Sequence, residues 1–439
     1  MLSSFCFFTR TASEDFARRE NSEAPLLSVR SSIPAVSSSD HSRSDTSLVL
    51  LLTFGVFGII ATEMGVAGII PQIAERFDVS VPVAGWTVSA FALVVSVCAP
   101  FLPAAMSGVD RRTVMLATLT LFTLSNVVAL LSTSFGVLLA ARMLAAVLHP
   151  VYTAMAFTLA AQASPEDPSR GIARVFTGVS AGMVLGVPWA SFVTAHVGYE
   201  AATASFGLAN LVALLVTWKR VPSKPAKRIG LGTQLGVFRN PALGLSVAAF
   251  AALNGAMFGF FSFLSDFLHR ASGFDFDAVS AVLFGYGLAN IVGNVLAGRF
   301  FGKERRFFSL AVPLAMFGAY ALLYATAETR LAAAGLVLGL GVAAGFASIV
   351  GQNLIATAAR RAPDLANGLF LSAANFGTAL GTAFCGVFIG WMGTKAALFG
   401  TLLMLILAFV LVALRLRADS IDPEPAIPSA TQSPEGAAA

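Results

Sequence analysis

Apolar and polar positions alternate in long blocks along this chain, not at the period of two that marks half-buried strands. Twelve apolar runs, each bounded by charged or turn residues, fall at Leu48–Ile70, Ala84–Met106, Val114–Leu131, Gly136–Ala161, Phe176–Val197, Ala201–Trp218, Ala242–Leu268, Val279–Ala297, Phe307–Ala327, Leu331–Ala358, Ala366–Met392 and Ala396–Leu414. Each is about as long as the ~20 residues a helix needs to cross a hydrocarbon core. Backbone groups in lipid are satisfied only within a helix or a closed barrel, and barrels announce themselves by alternation over ~10 residues. The pattern therefore predicts an all-α membrane protein of twelve transmembrane helices in two six-helix halves. Its expected organisation is a disordered tail over 1–46, an N-terminal half over 47–218, a basic central loop over 219–240, a C-terminal half over 241–415 and a second disordered tail over 416–439. The first tail lacks the continuous apolar core of a signal peptide, and a misassigned start is equally compatible with it.

Composition agrees with this reading. Of 439 residues, 56% are apolar and 12% charged, about half the ~25% charge of a soluble domain. The net charge of +5 comes from basic residues scattered singly or in pairs, which argues for loop topology and against nucleic acid. If the N-terminus is inside, the inner loops and final helix end carry eighteen Lys and Arg against four in the outer loops. Positive loops stay cytoplasmic, so both termini are expected inside a bacterial-type cell membrane. The three cysteines, Cys6, Cys98 and Cys385, form neither a disulfide framework nor a metal-ligand spacing. No phosphate-binding loop, metalloprotease motif or nucleophile elbow occurs, so ATP-driven transport and enzymatic chemistry are disfavoured and no cofactor is implied.

The two halves repeat each other. Gly182 and Gly186 in the fifth run recur as Gly377 and Gly381 in the eleventh, both at an offset of 195, the signature of a parallel repeat. Small residues at this spacing allow close helix packing, and a gating role overlaps with that use. Pro188 has no counterpart at Ala383, so a bend is expected in the first copy alone.

Charge breaks the repeat. Glu63 corresponds to Phe258 and Arg142 to Val337. Intramembrane charges are expensive and mark ion or substrate pathways. Glu63 lies seven residues inside Ile70 and Arg142 six inside Gly136. At 1.5 Å per residue both should sit ~10 Å below the outer surface, where they could pair structurally or as a protonation site. His149 follows Arg142 by seven residues on nearly the same face, and is either a satisfied core histidine or a proton or substrate group. Asn254, Phe258, Gln352, Asn353 and Asn375 are candidates for a solute cavity, with interhelical bonding and lipid-facing filler as the alternative uses. Asp266, near the outer end of the seventh run, is expected to be wet.

Two six-span halves, a basic central loop and charges in the first and fourth spans give a chain that resembles the major facilitator superfamily over about Leu48 to Leu414. Several segments are similar to its twelve-span drug:proton antiporter branch. Thr62, Glu63, Gly68 and Pro71 match a T-E pair running into G-x-x-P; Arg142 matches the helix-four arginine; Gly186 and Pro188 match the end of the helix-five antiporter motif. The loop motif departs from the family pattern: with Arg111 and Arg112 aligned to its arginine pair, Ser107 stands where an acid belongs and Asp110 where a glycine belongs. The resemblance implies a monomeric secondary transporter, partnered by a small organic solute, protons and the bilayer, that exports the solute in exchange for protons, with Glu63 as the proton carrier. Facilitated or uptake transport of a sugar or nucleobase on the same scaffold is one alternative. A non-transporting membrane sensor or enzyme is another.

Overall fold

A computed structural model describes residues 38–164, 167–221, 223, 240–302, 304–359 and 363–421. The expectations for residues 1–37, for most of the central loop and for 422–439 lie outside the described residues. Among the described residues the chain is helical apart from short connections, with no strand. Twelve spans are long and apolar enough to cross a membrane: Ser47–Arg76, Val81–Cys98, Arg111–Leu131, Phe135–Gln162, Arg170–His196, Tyr199–Arg220, Pro241–Ser262, Phe276–Phe300, Arg305–Thr326, Arg330–Ala358, Leu365–Met392 and Thr394–Ala418. They are called spans one to twelve below. The helices of spans one and twelve run on to Ser38 and Ile421, into segments read from the sequence as tails.

Span one is longer than its apolar run suggests. Its helix ends at Gly65, tightens into a 3-10 turn over Val66–Ile69 and resumes over Ile70–Arg76. Pro71 starts that last piece, where its missing N–H costs nothing. Span seven repeats the device, stopping at Ser262 and resuming as the seven-residue helix Leu264–Arg270. The true far end of span one is thus Arg76, six residues past Ile70, and every depth measured from Ile70 is too shallow.

The glycine repeat is a packing device. A Cβ on Gly182 or Gly186 would press on Ile60 and Ala61 of span one, at 2.8 and 2.9 Å. A Cβ on Gly377 or Gly381 would strike the Ala251 and Gly255 carbonyl oxygens of span seven. Residue 60 plus the 195 offset is 255, so the two seams use the same stretch of spans one and seven, with contacts displaced by up to one turn. In the first, Asn210 of span six adds a bond from its Nδ2 to Thr62 Oγ1 at 2.8 Å. In the second, Asn254 Nδ2 donates to the Ala374 carbonyl at 2.6 Å and to Thr378 Oγ1 at 2.9 Å, while Ser262 and Thr382 share a hydroxyl contact of 3.0 Å. Span five continues as one helix through Pro188.

The halves meet along span two against span eleven and span five against span eight. At the end of the bundle that carries Arg111 and Arg112, here the basic end, Ser372 Oγ donates to the Ser96 carbonyl at 2.7 Å. Ser191 and Ser280 join spans five and eight at 3.1 Å. At the opposite end His196 Nε2 approaches Asp277 Oδ1 at 3.3 Å.

Asp266 corrects an expectation: it is buried, not wet. Its Oδ1 meets Arg270 Nε at 2.7 Å, one helical turn on, and its Oδ2 accepts from Thr394 Oγ1 at 2.9 Å. Arg415, counted above as a loop charge, is also buried, and its Nε donates to Ser246 Oγ of span seven at 2.8 Å.

Candidate functional site

Most of the buried polar side chains of the first half sit on spans one, two, three, four and six, with Ser191 and Thr194 on span five. Glu63 projects from span one one turn before the 3-10 break, and its carboxylate meets the ring of His149: Oε2 to Nε2 is 3.4 Å. His149 is 2% exposed and has no hydrogen bond of good geometry at either ring nitrogen. Phe91 of span two and Phe122 of span three flank it at 6.0 and 6.3 Å between ring centres.

Arg142 is not within ion-pair distance of Glu63. Its Nε donates to the Thr87 carbonyl of span two at 3.1 Å, and its guanidinium lies over the Phe91 ring at 5.3 Å. That oxygen lies in the first turn of the helix Trp86–Cys98, and the aromatic face adds a cation–π attraction. The span ends explain the partner exchange. Glu63 lies thirteen residues inside Arg76, and His149 fourteen inside Phe135. Helix rise then puts Glu63 level with His149 and leaves Arg142 two turns nearer the Arg76 end.

Arg142 lines a cavity of about 20 Å³ with Thr62, Asn126, Tyr199 and Thr203, room for about one water. Tyr199 donates from its hydroxyl to the Ala129 carbonyl at 3.2 Å, and Asn126 Nδ2 to the Phe122 carbonyl at 2.9 Å. The corresponding place in the second half is an apolar gap of about 10 Å³ lined by Phe261, Leu264 and Val337, the counterparts of Val66, Ile69 and Arg142 at the 195 offset. The same offset sets Met257 against Thr62, Phe258 against Glu63, Ala344 against His149 and Leu405 against Asn210. Glu63, Arg142, His149, Thr62, Asn126, Thr203 and Asn210 are all matched by apolar residues in the second half, and Tyr199 alone by a polar one, Thr394.

The remaining candidates separate. Asn254 is consumed by the seam with span eleven, and Asn375 donates to the Leu371 carbonyl of its own helix at 3.0 Å. Phe258 is half-buried, edge-on to Phe261 at 5.9 Å. Gln352 is exposed, and Asn353 is half-buried beside it. Asp110 caps the third span by accepting from the Thr113 amide at 3.3 Å. Arg111 donates to Gln162 Oε1 at 2.7 Å and Arg112 to the Trp218 carbonyl, tying span three to spans four and six at the basic end. Sequence reasoning missed Asn210, Tyr199 and Thr203. Asn210 carries a usable signal, an amide inside an apolar run, the same signal that nominates Asn254 and Asn375.

Comparison with known proteins places this geometry in a wider group. A family model described as Major Facilitator Superfamily matches residues 52–362 and 273–437. An uncharacterized MFS-type transporter, YtbD of Bacillus subtilis, is 32% identical over 363 residues, covering 80% of this chain and 90% of its own. A chloramphenicol resistance protein of Streptomyces lividans is 30% identical over 341 residues, covering 75% of this chain and 86% of its own. Among solved structures, a bacterial homolog of the human lysosomal transporter Spinster, in an inward-facing and occupied conformation, superposes with a TM-score of 0.71 at 16% identity, covering 88% of this chain and 99% of that one.

Proposed function

The chain belongs to the major facilitator superfamily and is a multi-pass membrane transporter of small solutes, and from that premise we propose that it exports a drug-like organic solute in exchange for protons by alternating access. Glu63 carries the proton, and Arg142 sets the field in which it does so. The basic end faces the cytoplasm, together with both termini, and a single chain suffices.

The observation that carries this reading is the confinement of the mid-span group Glu63, Arg142 and His149 to one half of an otherwise repeated scaffold, the buried Asp266 and Arg415 of the second half lying near the span ends. The seams repeat, and at the places of Glu63, Arg142 and His149 the second half carries Phe258, Val337 and Ala344, which supports reading the polar trio as more than a structural need. The trio stands in a place where each charge costs a few kcal/mol. A structural Glu63–Arg142 pair would account for such a cost only if the two met, and they do not. Alternation between the halves can present Glu63 to either face in turn. The chloramphenicol resistance of one relative supports a drug-like substrate.

Proteoliposomes with an imposed pH gradient test the reading, with radiolabelled chloramphenicol and a panel of antibiotics as probes. The wild type is expected to move at least one probe uphill against the proton flow. Glu63→Gln, which keeps shape but carries no proton, should insert normally and retain only downhill exchange. Uphill transport by the Glu63→Gln protein, or gradient-independent transport by the wild type, would overturn it.

A further inference from the structure

The Glu63 carboxylate and the His149 ring stand 3.4 Å apart in a pocket closed by Phe91 and Phe122. Neither ring nitrogen of His149 has another hydrogen-bond partner. A buried imidazole normally ties one nitrogen to a carbonyl, which fixes its tautomer. This one is left free to hold its proton on either nitrogen, and its nearest polar atom is a carboxylate oxygen. The span-four helix positions the ring, because Thr153 Oγ1 bonds the His149 carbonyl at 3.1 Å and Pro150 follows in the same turn. At the 195 offset the place of the ring is taken by Ala344, buried and apolar.

We infer that His149 is the proton-sharing partner of Glu63, so that the transported proton belongs to a Glu63–His149 dyad and not to the carboxylate alone. The inference rests on the proton-coupled reading above and extends it. In the loaded state one proton lies between Glu63 Oε2 and His149 Nε2. It leaves when the site opens to the cytoplasm, and it is regained from the other face. No bond other than N–H or O–H changes. Sharing keeps the carboxylate from standing unpaired in a low-dielectric pocket while the proton is bound, and two groups that interact this closely titrate as a unit.

The other charged and titratable groups around the ring are few. Span one contributes Glu63 itself, and span four contributes Arg142, two turns away, and Tyr152, within one turn. Span two faces the ring with Phe91 and carries Cys98 at its far end; span three faces it with Phe122 and carries Arg111 and Arg112 at the basic end. Span five has Arg170, Arg174 and His196 near its two ends. None but Glu63 touches the ring.

The test uses the full-length protein in detergent and needs no substrate. Histidine-selective nitrogen-15 labelling gives few ring signals, since the chain holds four histidines, and the His149 signal is the one lost in His149→Gln. In wild type its titration should be coupled to Glu63, so Glu63→Gln should move the midpoint by at least one pH unit, a tenfold change in proton affinity. Glu63→Asp should restore part of the shift. Should Glu63→Gln fail to fold, the infrared carboxyl band of Glu63 in His149→Gln reads the same coupling from the other side. An unchanged His149 midpoint, or an unchanged Glu63 band, would overturn the dyad. Transport separates this from the underlying proposal. If Glu63→Gln abolishes uphill movement while His149→Gln leaves its pH profile unaltered, the dyad falls and proton coupling stands. If the two groups are coupled spectroscopically but no pH gradient drives transport, the dyad stands as a structural pair and its role in transport falls.

Discussion

Thr62 shows how a single hydroxyl is used twice. It donates to the Gly58 carbonyl at 2.8 Å within its own helix and accepts from Asn210 at 2.8 Å, so the residue beside Glu63 is fixed to span six. Membrane hydrogen bonds of this kind are worth about 0.6 kcal/mol on average and at most about 1.7. A Thr62→Val and Asn210→Leu double-mutant cycle, followed by unfolding in detergent, is therefore expected to give a coupling of about 0.6–1.7 kcal/mol. Leu405 already fills the equivalent place in the second half, so Asn210→Leu should still fold. Arg142 permits a sharper test. Arg142→Lys keeps the charge but loses the Nε bond to Thr87 and the planar stack on Phe91. Its membrane level should hold while uphill transport falls, and wild-type transport by the lysine variant would show that charge alone suffices.

At the scale of the helix, the glycine seams forbid what exposed glycines allow. Gly381→Val would drive a side chain into the Gly255 carbonyl, and Gly186→Val would do the same to Ala61 of span one. Overpacking of this kind costs about 1–3 kcal/mol, so both variants should lower the thermal midpoint in detergent, Gly381→Val by more because its seam is the tighter of the two. Gly339 and Gly318 meet nothing within 4 Å, and changing either to Ala should be neutral or raise stability by about 0.5–1 kcal/mol. Between spans, Lys395 bonds Glu328 at 2.9 Å and holds its carboxyl below the usual carboxylate range. A lowered carboxyl pKa gives stability that is present above the ordinary value and lost as pH falls through the lowered one. Lys395→Ala should accordingly lower the unfolding midpoint slightly at neutral pH, flatten its change over that acidic window and leave the most acidic values unaltered. The helices themselves were legible because lipid enforces long apolar runs, and the repeat was legible because glycine has no substitute where backbones touch. The partner of Glu63 was not. Pro71 looks like the end of a span but opens a further helical piece, and that extension moved the depth scale by almost two turns. Asp266 was misjudged for a related reason: its cover comes from Thr394, more than a hundred residues away, and no local pattern records it.

At the scale of the whole molecule, each half is tied internally by a glycine seam of its own, while the halves meet along two pairs of spans. Motion should therefore be concentrated where spans two and eleven and spans five and eight meet. The His196–Asp277 contact at one end and the Ser96–Ser372 bond at the other hold opposite sides of that interface. Spin labels placed on spans five and eight near the His196 end should report longer separations in Asp277→Asn than in wild type, whereas Ser372→Ala should lengthen distances at the basic end; identical distance distributions in all three proteins would place the closing contacts elsewhere. The confinement of the charged cluster to one half also sets a thermodynamic ceiling. Among the described residues Glu63 is the carboxylate at mid-span, and the second half offers Phe258 in its place. On the proton-coupled reading proposed above, a machine with one such station moves one proton per cycle. A gradient of one pH unit supplies about 1.4 kcal/mol per proton, and a potential of 100 mV about 2.3 more. For an uncharged solute that limits the concentration ratio across the membrane to about 500-fold, however tightly the solute is bound. A monovalent cation exchanged for that one proton would move no net charge, so the voltage would drop out and the ceiling would fall to about tenfold per pH unit.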